Sequence, residues 1–456
     1  MMRANILLGT LISWVSHGLS ASVNTTSFSA ADTIQRDIAI VGGGSSGTHA
    51  AIQFKDAGKT VVVIEKQAQL GGHVKTFTAS SGVRVNYGPS NFQNNTAVVD
   101  WFSRFDIPVV QYEQPGVGAK YADFSTGKEL ENGTLPNPDF GAYLEVLAKF
   151  PYLEDFSHLP DPIPEDLLLP FGEFVEKYNL QSVAYTIAQF ATSNGNVFEQ
   201  PTLYILKVAD VPYIQGIING DVLAPATYDA QSVFQKAQQD LGSDVLLRST
   251  VSSATRSNTG ISLVVNTPNG QKLIKANKLL VTVPPKIDNL KPFDLDQRES
   301  GILSKFQSKA FYTALLNQTG LAKGFSYYNA KPAAGQTYHV PSLPLLQFIW
   351  ATKDVDTFWA WYSSATELPD ATVKANIIKD FQALAPGSKP QIMVFSNAGP
   401  SGVGVTADEI KNGFYKDLLS LQGYRNTWYT GSAWVSDHSA GLWNYTNYEL
   451  VPKLTQ

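Results

Sequence analysis

One stretch constrains the fold of this chain more than any other: Ile38 to Lys66, "IAIVGGGSSGTHAAIQFKDAGKTVVVIEK". Asp37 to Gly42 reads as a buried strand, Ser45 to Ala57 as a helix closed by Gly58, and Thr60 to Glu65 as a second strand. Gly42, Gly43, Gly44 and Gly47 crowd the first strand-to-helix turn. Glycine loses the most conformational freedom on folding, so a cluster of it needs a reason. A βαβ unit that holds a dinucleotide supplies one. Gly42 makes the tight turn, Gly44 lets the backbone approach a pyrophosphate, and Gly47 lets helix and strand pack closely. The phosphates then rest on the helix N-terminus, where unpaired N–H groups and the dipole favour negative charge. Glu65 ends the second strand, where a carboxylate accepts hydrogen bonds from the adenosine ribose and disfavours a 2′-phosphate. Because strand, helix, strand and terminal acid come in order, the segment reads as dinucleotide-binding, not as a glycine-rich turn without a ligand.

The remaining composition sets bounds. At 456 residues the chain is too long for one simple core, so two interleaved or sequential domains are expected. A net charge of -5 with no Lys/Arg block argues against a nucleic-acid partner. No apolar run reaches the roughly 18 residues of a membrane span. With no cysteine, disulfides, thiolate metal sites and a cysteinyl flavin are all excluded. At the N-terminus, Arg3, the apolar "ILLGTLISWV" and the small residues of "SHGLSAS" read as a signal peptide over 1–21, cleaved near Ser20 to Ser22. That reading places the protein in the secretory lumen or outside the cell. Glycosylation sequons begin at Asn24, Asn94, Asn132, Asn317 and Asn444.

After Glu65 comes "KQAQLGGHVKTFT", then "SGVRVNYGPSNF". This Gly-Gly pair resembles the second fingerprint of the flavin-containing amine oxidase superfamily, and the resemblance implies FAD. In that superfamily an arginine follows the pair; here His73 follows Gly72, as in the fungal branch of β-cyclopiazonate dehydrogenase-like flavoproteins. The resemblance implies that Gly72 and His73 contact the cofactor, with His73 hydrogen-bonding the pyrophosphate or lying at the flavin edge. "DVLLRSTVSSATRSNTGISLVVNTPNGQKLIKANKLLVTVPP" resembles the segment returning to the dinucleotide domain, where a backbone contact near Val251 holds the adenine side. "NTWYTGSAWVSDHSAGLWNYTNYEL" resembles the segment at the flavin end: a strand ends at Thr430-Gly431, and a helix from about Ser439 points its N-terminus at the pyrimidine ring. The superfamily's ribityl-binding acid after this glycine is Ser432 here, with Asp437 as the alternative.

Candidates for catalysis are thinner. The histidines show no metal-ligand spacing, and no G-x-S-x-G nucleophile elbow is present. In this class the flavin carries out the redox chemistry and the protein orients the substrate and excludes water. The resemblance implies an aromatic wall opposite the flavin, for which Trp434 stands out among Trp428, Tyr429 and Trp443, with His438 beside Asp437 as a residue facing flavin or substrate. From the other domain Trp350, Trp359, Trp361 and Tyr362 are wall candidates; Trp359 and Trp361 share one face of an alternating strand. His49, on the dinucleotide helix, reads as packing or solvent-facing and not as a cofactor contact. Lys305 and Lys309 fall where amine oxidases hold a lysine, and both read better as surface residues.

The expected fold is α/β: a discontinuous, Rossmann-like FAD-binding domain with an inserted α+β substrate domain. The first occupies 34–105, 220–290 and 400–456, and the second 106–219 and 291–399. The expected activity is hydride abstraction from a bulky apolar small molecule, with ring closure in fungal secondary metabolism implied by the branch alone. The rivals are an amine oxidase that uses oxygen and releases peroxide, and a non-catalytic flavin-binding protein.

Overall fold

In the computed structural model, which describes residues 28–332 and 337–456, the glycine-rich segment forms the expected unit. A strand Thr33–Val41, a helix Ser45–Asp56 and a strand Val61–Ile64 follow one another, the first strand starting four residues earlier than its apolar run suggests. Both the leader at 1–21 and the sequon at Asn24 lie outside the described residues.

The first sheet is organised by one long strand, Gly270–Val281. Its first half pairs antiparallel with Gly260–Thr267, across the Thr267–Gly270 turn. From Leu273 to Val281 its other edge runs parallel to the first strand, and Leu279 to Val281 run parallel to Thr427–Tyr429. The carboxyl ends align: Val41 lies opposite both Ile64 and Val281, Ile64 opposite Leu246, and Val281 opposite Tyr429. Five parallel strands thus finish in one row, the edge at which open α/β sheets bind ligands. Val41 and Tyr429 lie 388 residues apart in sequence yet end in this row, so the dinucleotide domain is discontinuous, as expected.

The second sheet takes strands from Gly118–Asp123 and from Gln307 onwards. On one face Tyr312, Phe358, Ala360 and Tyr362 share a core with Val373, Ile377 and Phe381 of the helix Asp370–Leu384. On the other, Leu315 and Trp359 pack against Val85 of the hairpin Thr76–Asn86, which belongs to the cofactor side. Two expected boundaries shift. Ser401–Gly404 pairs with the strand Gln307–Asn317, so this sheet extends past 399. The helices between 140 and 219 share one continuous core with the dinucleotide fold.

Candidate active site

At the carboxyl edge every glycine of the first fingerprint meets a specific neighbour. Gly42 has φ +106°, and a Cβ there would lie 2.4 Å from Thr282 Oγ1. A Cβ on Gly47 would lie 1.9 Å from the Gly42 carbonyl. Gly44 differs: a Cβ there would find nothing nearer than Gly72 Cα at 3.9 Å, so its open side faces the ligand edge. Thr282 Oγ1 donates to the Gly42 carbonyl at 2.9 Å and ties the turn to the long strand.

Glu65 is buried at the end of its strand, and both oxygens accept backbone N–H groups, from Gly43 at 2.7 Å and from Gln67 at 2.7 Å. Its carboxylate therefore shapes the glycine turn as well as offering remaining lone pairs to a ribose. Val251 is the second residue of the strand Thr250–Ser257 and lies two residues beyond Ser249, whose N–H donates to the Glu65 carbonyl at 2.9 Å. That would set it beside a ribose held by Glu65.

The second fingerprint docks on the first. Gly71 N–H donates to the Gly43 carbonyl at 2.8 Å, and Gly72, at φ +59°, approaches so closely that a Cβ would sit 2.9 Å from Gly44 Cα. His73 is accessible to solvent yet closely surrounded by protein, the combination expected of a group lining a cleft. Burial first, then Lys75 and Lys66, pulls its imidazole down to about 4. His73 is thus neutral near pH 7 and does not reproduce the charge of the superfamily's arginine. Burial and Lys66 also lower Lys75, whose Nζ donates to Ser396 Oγ of the second sheet at 2.9 Å.

Two helix N-termini meet at this edge. Ser45 opens the first helix, Ser439 opens the helix Ser439–Tyr445, and their hydroxyls are 2.8 Å apart. Neither helix has a side-chain cap, so both keep unpaired N–H donors for an anion. Between them, Gly431 has φ +123°, and the Thr430 hydroxyl is buried without a partner. The arrangement fits FAD. Gly42, Gly44, Gly47 and the first helix would hold the pyrophosphate, Glu65 and Val251 the adenosine, and Gly72, His73, Gly431 and the last helix the flavin half.

The catalytic expectations fare differently. Trp434 is 1% exposed and stacks on Tyr429 at 4.5 Å, so it belongs to the core and does not wall a cavity. Trp443 is likewise core, beside His49 and Trp101. His438 turns its ring away from the carboxyl edge. Its Nε2 lies 2.7 Å from the Val208 carbonyl, 4.0 Å from buried Asp210, and its ring packs on Tyr213 at 4.6 Å. It caps the join of two helices and is not poised as a free base. Lys305 pairs with Glu409 at 2.6 Å and is half-buried. Asp437 and Ser432 are both exposed. Trp359 and Trp361 do share a face, 4.7 Å apart, whereas Tyr362 lies on the opposite face, against the helix Asp370–Leu384. Among the described residues no group of three or more His, Asp or Glu is placed to hold a metal ion, and no helix is long and apolar enough to cross a membrane.

Other groups had no local signature. Lys207 is buried 225 residues before the carbonyl its Nζ bonds, that of Ser432 directly after Gly431, and its ammonium lies 4.3 Å from the Phe156 ring. Burial lowers its pKa, opposed by Asp437 and Asp155. Arg256 is enclosed by Glu299 and Asp294, with Arg425 on the same two acids. This network joins the Thr250–Ser257 strand to the approach to Thr427–Tyr429. Nothing in any one segment announces either contact, since each needs partners from distant parts of the chain.

Comparison with known proteins agrees with this geometry. Residues 40–105 match the family model of the NAD(P)-binding Rossmann-like domain. The chain is 37% identical to the FAD-dependent oxidoreductase pigF of Monascus ruber, covering 98% of this chain and 99% of that one. It is 36% identical to β-cyclopiazonate dehydrogenase of Aspergillus oryzae over 92% of this chain and 93% of the relative. Among solved structures, a CLA-producing fatty acid isomerase from P. acnes superposes with a TM-score of 0.75 at 17% identity, over 92% of this chain and 98% of that one. Putrescine oxidase bound to putrescine superposes with a TM-score of 0.67 at 16% identity, over 93% and 100%. At those identities the likeness is one of fold.

Proposed function

The chain belongs to the fungal FAD-dependent oxidoreductases that include β-cyclopiazonate dehydrogenase, and on that footing we propose that it abstracts hydride from a bulky, apolar secondary-metabolite substrate, with the oxidised carbon captured within the molecule to close a ring. FAD supplies the hydride acceptor. The observation that carries the reading is the meeting of both glycine loops and both helix N-termini at one sheet edge, beside the tryptophan-bearing face of the second sheet. The helix N-termini favour negative charge that develops at the flavin pyrimidine. The aromatic face gives an apolar bed with few polar anchors, as ligand sites usually have. Neutral His73 hydrogen-bonds without adding charge.

The amine oxidase alternative shares the fold of putrescine oxidase. Lys66 and Lys75 around His73 make the approach to the flavin end positive, which works against a protonated amine. An absorbance spectrum, repeated on pellet and supernatant after acid precipitation, tests the main reading. Flavin bands released to the supernatant are expected; a colourless protein that FAD cannot reconstitute would refute it. Peroxide released from a panel of amines would favour the alternative. The leader read at 1–21 supports entry into the secretory pathway, to be checked by N-terminal sequencing of the mature chain.

A further inference from the structure

Lys75 follows the second fingerprint with a half-buried ammonium that no carboxylate neutralises. The charges acting on it and on His73 are all cationic: Lys66 on Lys75, and Lys75 with Lys66 on His73. Arg256 is the contrast, buried but enclosed by two carboxylates. A cation drawn from water without a counter-ion is costly, so this one asks for an anion that the chain does not supply. The pyrophosphate of FAD would have its own place at the two helix N-termini, and the Lys75 side chain reaches elsewhere. Its Nζ donates to Ser396 Oγ of the second sheet at 2.9 Å, a neutral acceptor. That contact puts the ammonium on a defined surface. Thr313 lies opposite Ser396 on one side and Trp361 on the other, and Trp361 lies opposite Phe348. Residues paired across strands share a sheet face, so these four form one row. Thr313 Oγ1 donates to the Tyr87 carbonyl at 2.9 Å, so the row faces the segment that follows the fingerprint hairpin. Trp361 is half-buried, as is Phe311 on the same face, and their rings lie 5.0 Å apart, with Phe348 4.8 Å from Trp361. Two strand spacings, about 10 Å, separate Ser396 from Trp361. One face thus presents a cation and, a bicyclic ring's length away, an aromatic bed.

We propose that Lys75 and the rings of Trp361 and Phe311 form the substrate subsite, and that the substrate is a flat, apolar molecule carrying one oxygen group ionised near pH 7, a carboxylate or an acidic enol. The inference rests on the oxidoreductase reading above and names the substrate class for it. An ammonium has three donors, so Lys75 can bond the anionic group by a charge-assisted hydrogen bond while keeping Ser396. Trp361 and Phe311 offer the flat remainder a stacking surface. Lys66 adds attraction at longer range.

The test is calorimetric titration of the protein, with FAD supplied, against two matched pairs: 2-naphthoate with 2-naphthamide, and 4-hydroxycoumarin with 4-methoxycoumarin. In each pair the first member is ionised near pH 7 and the second is a neutral molecule of similar shape. The native protein is expected to prefer the ionised member of at least one pair by about tenfold or more, and the pair that shows it tells a carboxylate from an acidic enol. Lys75→Met and Lys75→Gln are each expected to abolish that preference and leave the neutral member's affinity unchanged, whereas Lys75→Arg keeps it. Trp361→Leu should weaken both members alike. Binding of no probe, no preference in the native protein, or a preference that survives both neutral variants overturns the proposal. The flavin bands of the same sample separate the two claims. A yellow protein with no preference sinks the subsite alone, and a colourless one whose preference depends on Lys75 sinks the oxidoreductase reading alone.

Discussion

Ser45 and Ser439, 394 residues apart in the chain, bring their hydroxyls within 2.8 Å of each other. Each opens a helix, so their contact sets two positive dipole ends side by side, where the pyrophosphate and the reduced flavin of a bound FAD would carry charge. Ser439→Asp tests this directly. A carboxylate in the first turn favours an isolated helix, so the apoprotein should melt within about 0.5 kcal/mol of the native. FAD affinity, measured by flavin fluorescence on dilution, should fall by about 100-fold or more. A variant that stays yellow would remove the dipole pair from cofactor binding.

Gly72→Ala addresses the docking of the two fingerprints. Its backbone sits at φ +59° and the new Cβ would meet Gly44 Cα at 2.9 Å. The left-handed conformation alone costs about 1–2 kcal/mol, and the contact must push the loops apart. The expected protein is folded, by circular dichroism, with much weakened FAD retention on gel filtration. Gly58→Ala is the control: it too has φ +80°, but nothing lies within 4 Å, so only the melting temperature should drop.

His49 predicts an acid sensitivity. It is buried between Trp101 and Trp443, its Nδ1 is unpaired, and burial pulls its pKa down to about 3. Between the ordinary value of 6.5 and about 3 the unfolded chain binds a proton that the folded chain refuses. Stability therefore falls as pH drops through that window and is unaffected above it. At pH 4.5 the loss is about 2–3 kcal/mol. Urea melts at pH 7.5 and 4.5 should show a smaller acid loss in His49→Phe than in the native chain by that amount.

The Arg256 network predicts the largest loss of stability. Arg256 bonds Glu299 through both terminal nitrogens, at 2.7 and 2.8 Å, and Asp294 at 2.8 Å. Arg256→Met would leave those carboxylates to Arg425 alone, which should cost about 3–5 kcal/mol. Denaturant midpoints of Arg256→Met and Arg425→Met check the order, since Arg425 keeps more solvent and should cost less.

If the chain enters the secretory pathway, Asn132 is the sequon expected to carry a glycan. It is exposed in a turn, whereas the Asn94 amide bonds Asp221 at 2.8 Å, the Asn317 amide oxygen is buried, and Asn444 lies within the last helix. Asn132→Gln should abolish the mobility shift that a peptide N-glycosidase produces.

The sequence by itself determined what depends on neighbours a few residues apart. The βαβ unit, its glycines, Glu65, the Gly71-Gly72 pair and the alternation of Trp359 and Trp361 are local patterns of backbone freedom and apolar period, so they could be read in order. The tertiary structure alone decided which face each side chain meets. Trp434 and His438 lie in the segment expected at the flavin end, yet one stacks in the core and the other turns to Val208, because helices from 140–219 close over that segment. Thr282, Lys207 and the Ser45–Ser439 contact were invisible for the same reason. Each acts on a group a hundred or more residues away, and only burial shows whether a polar atom there is satisfied or left to bind something else.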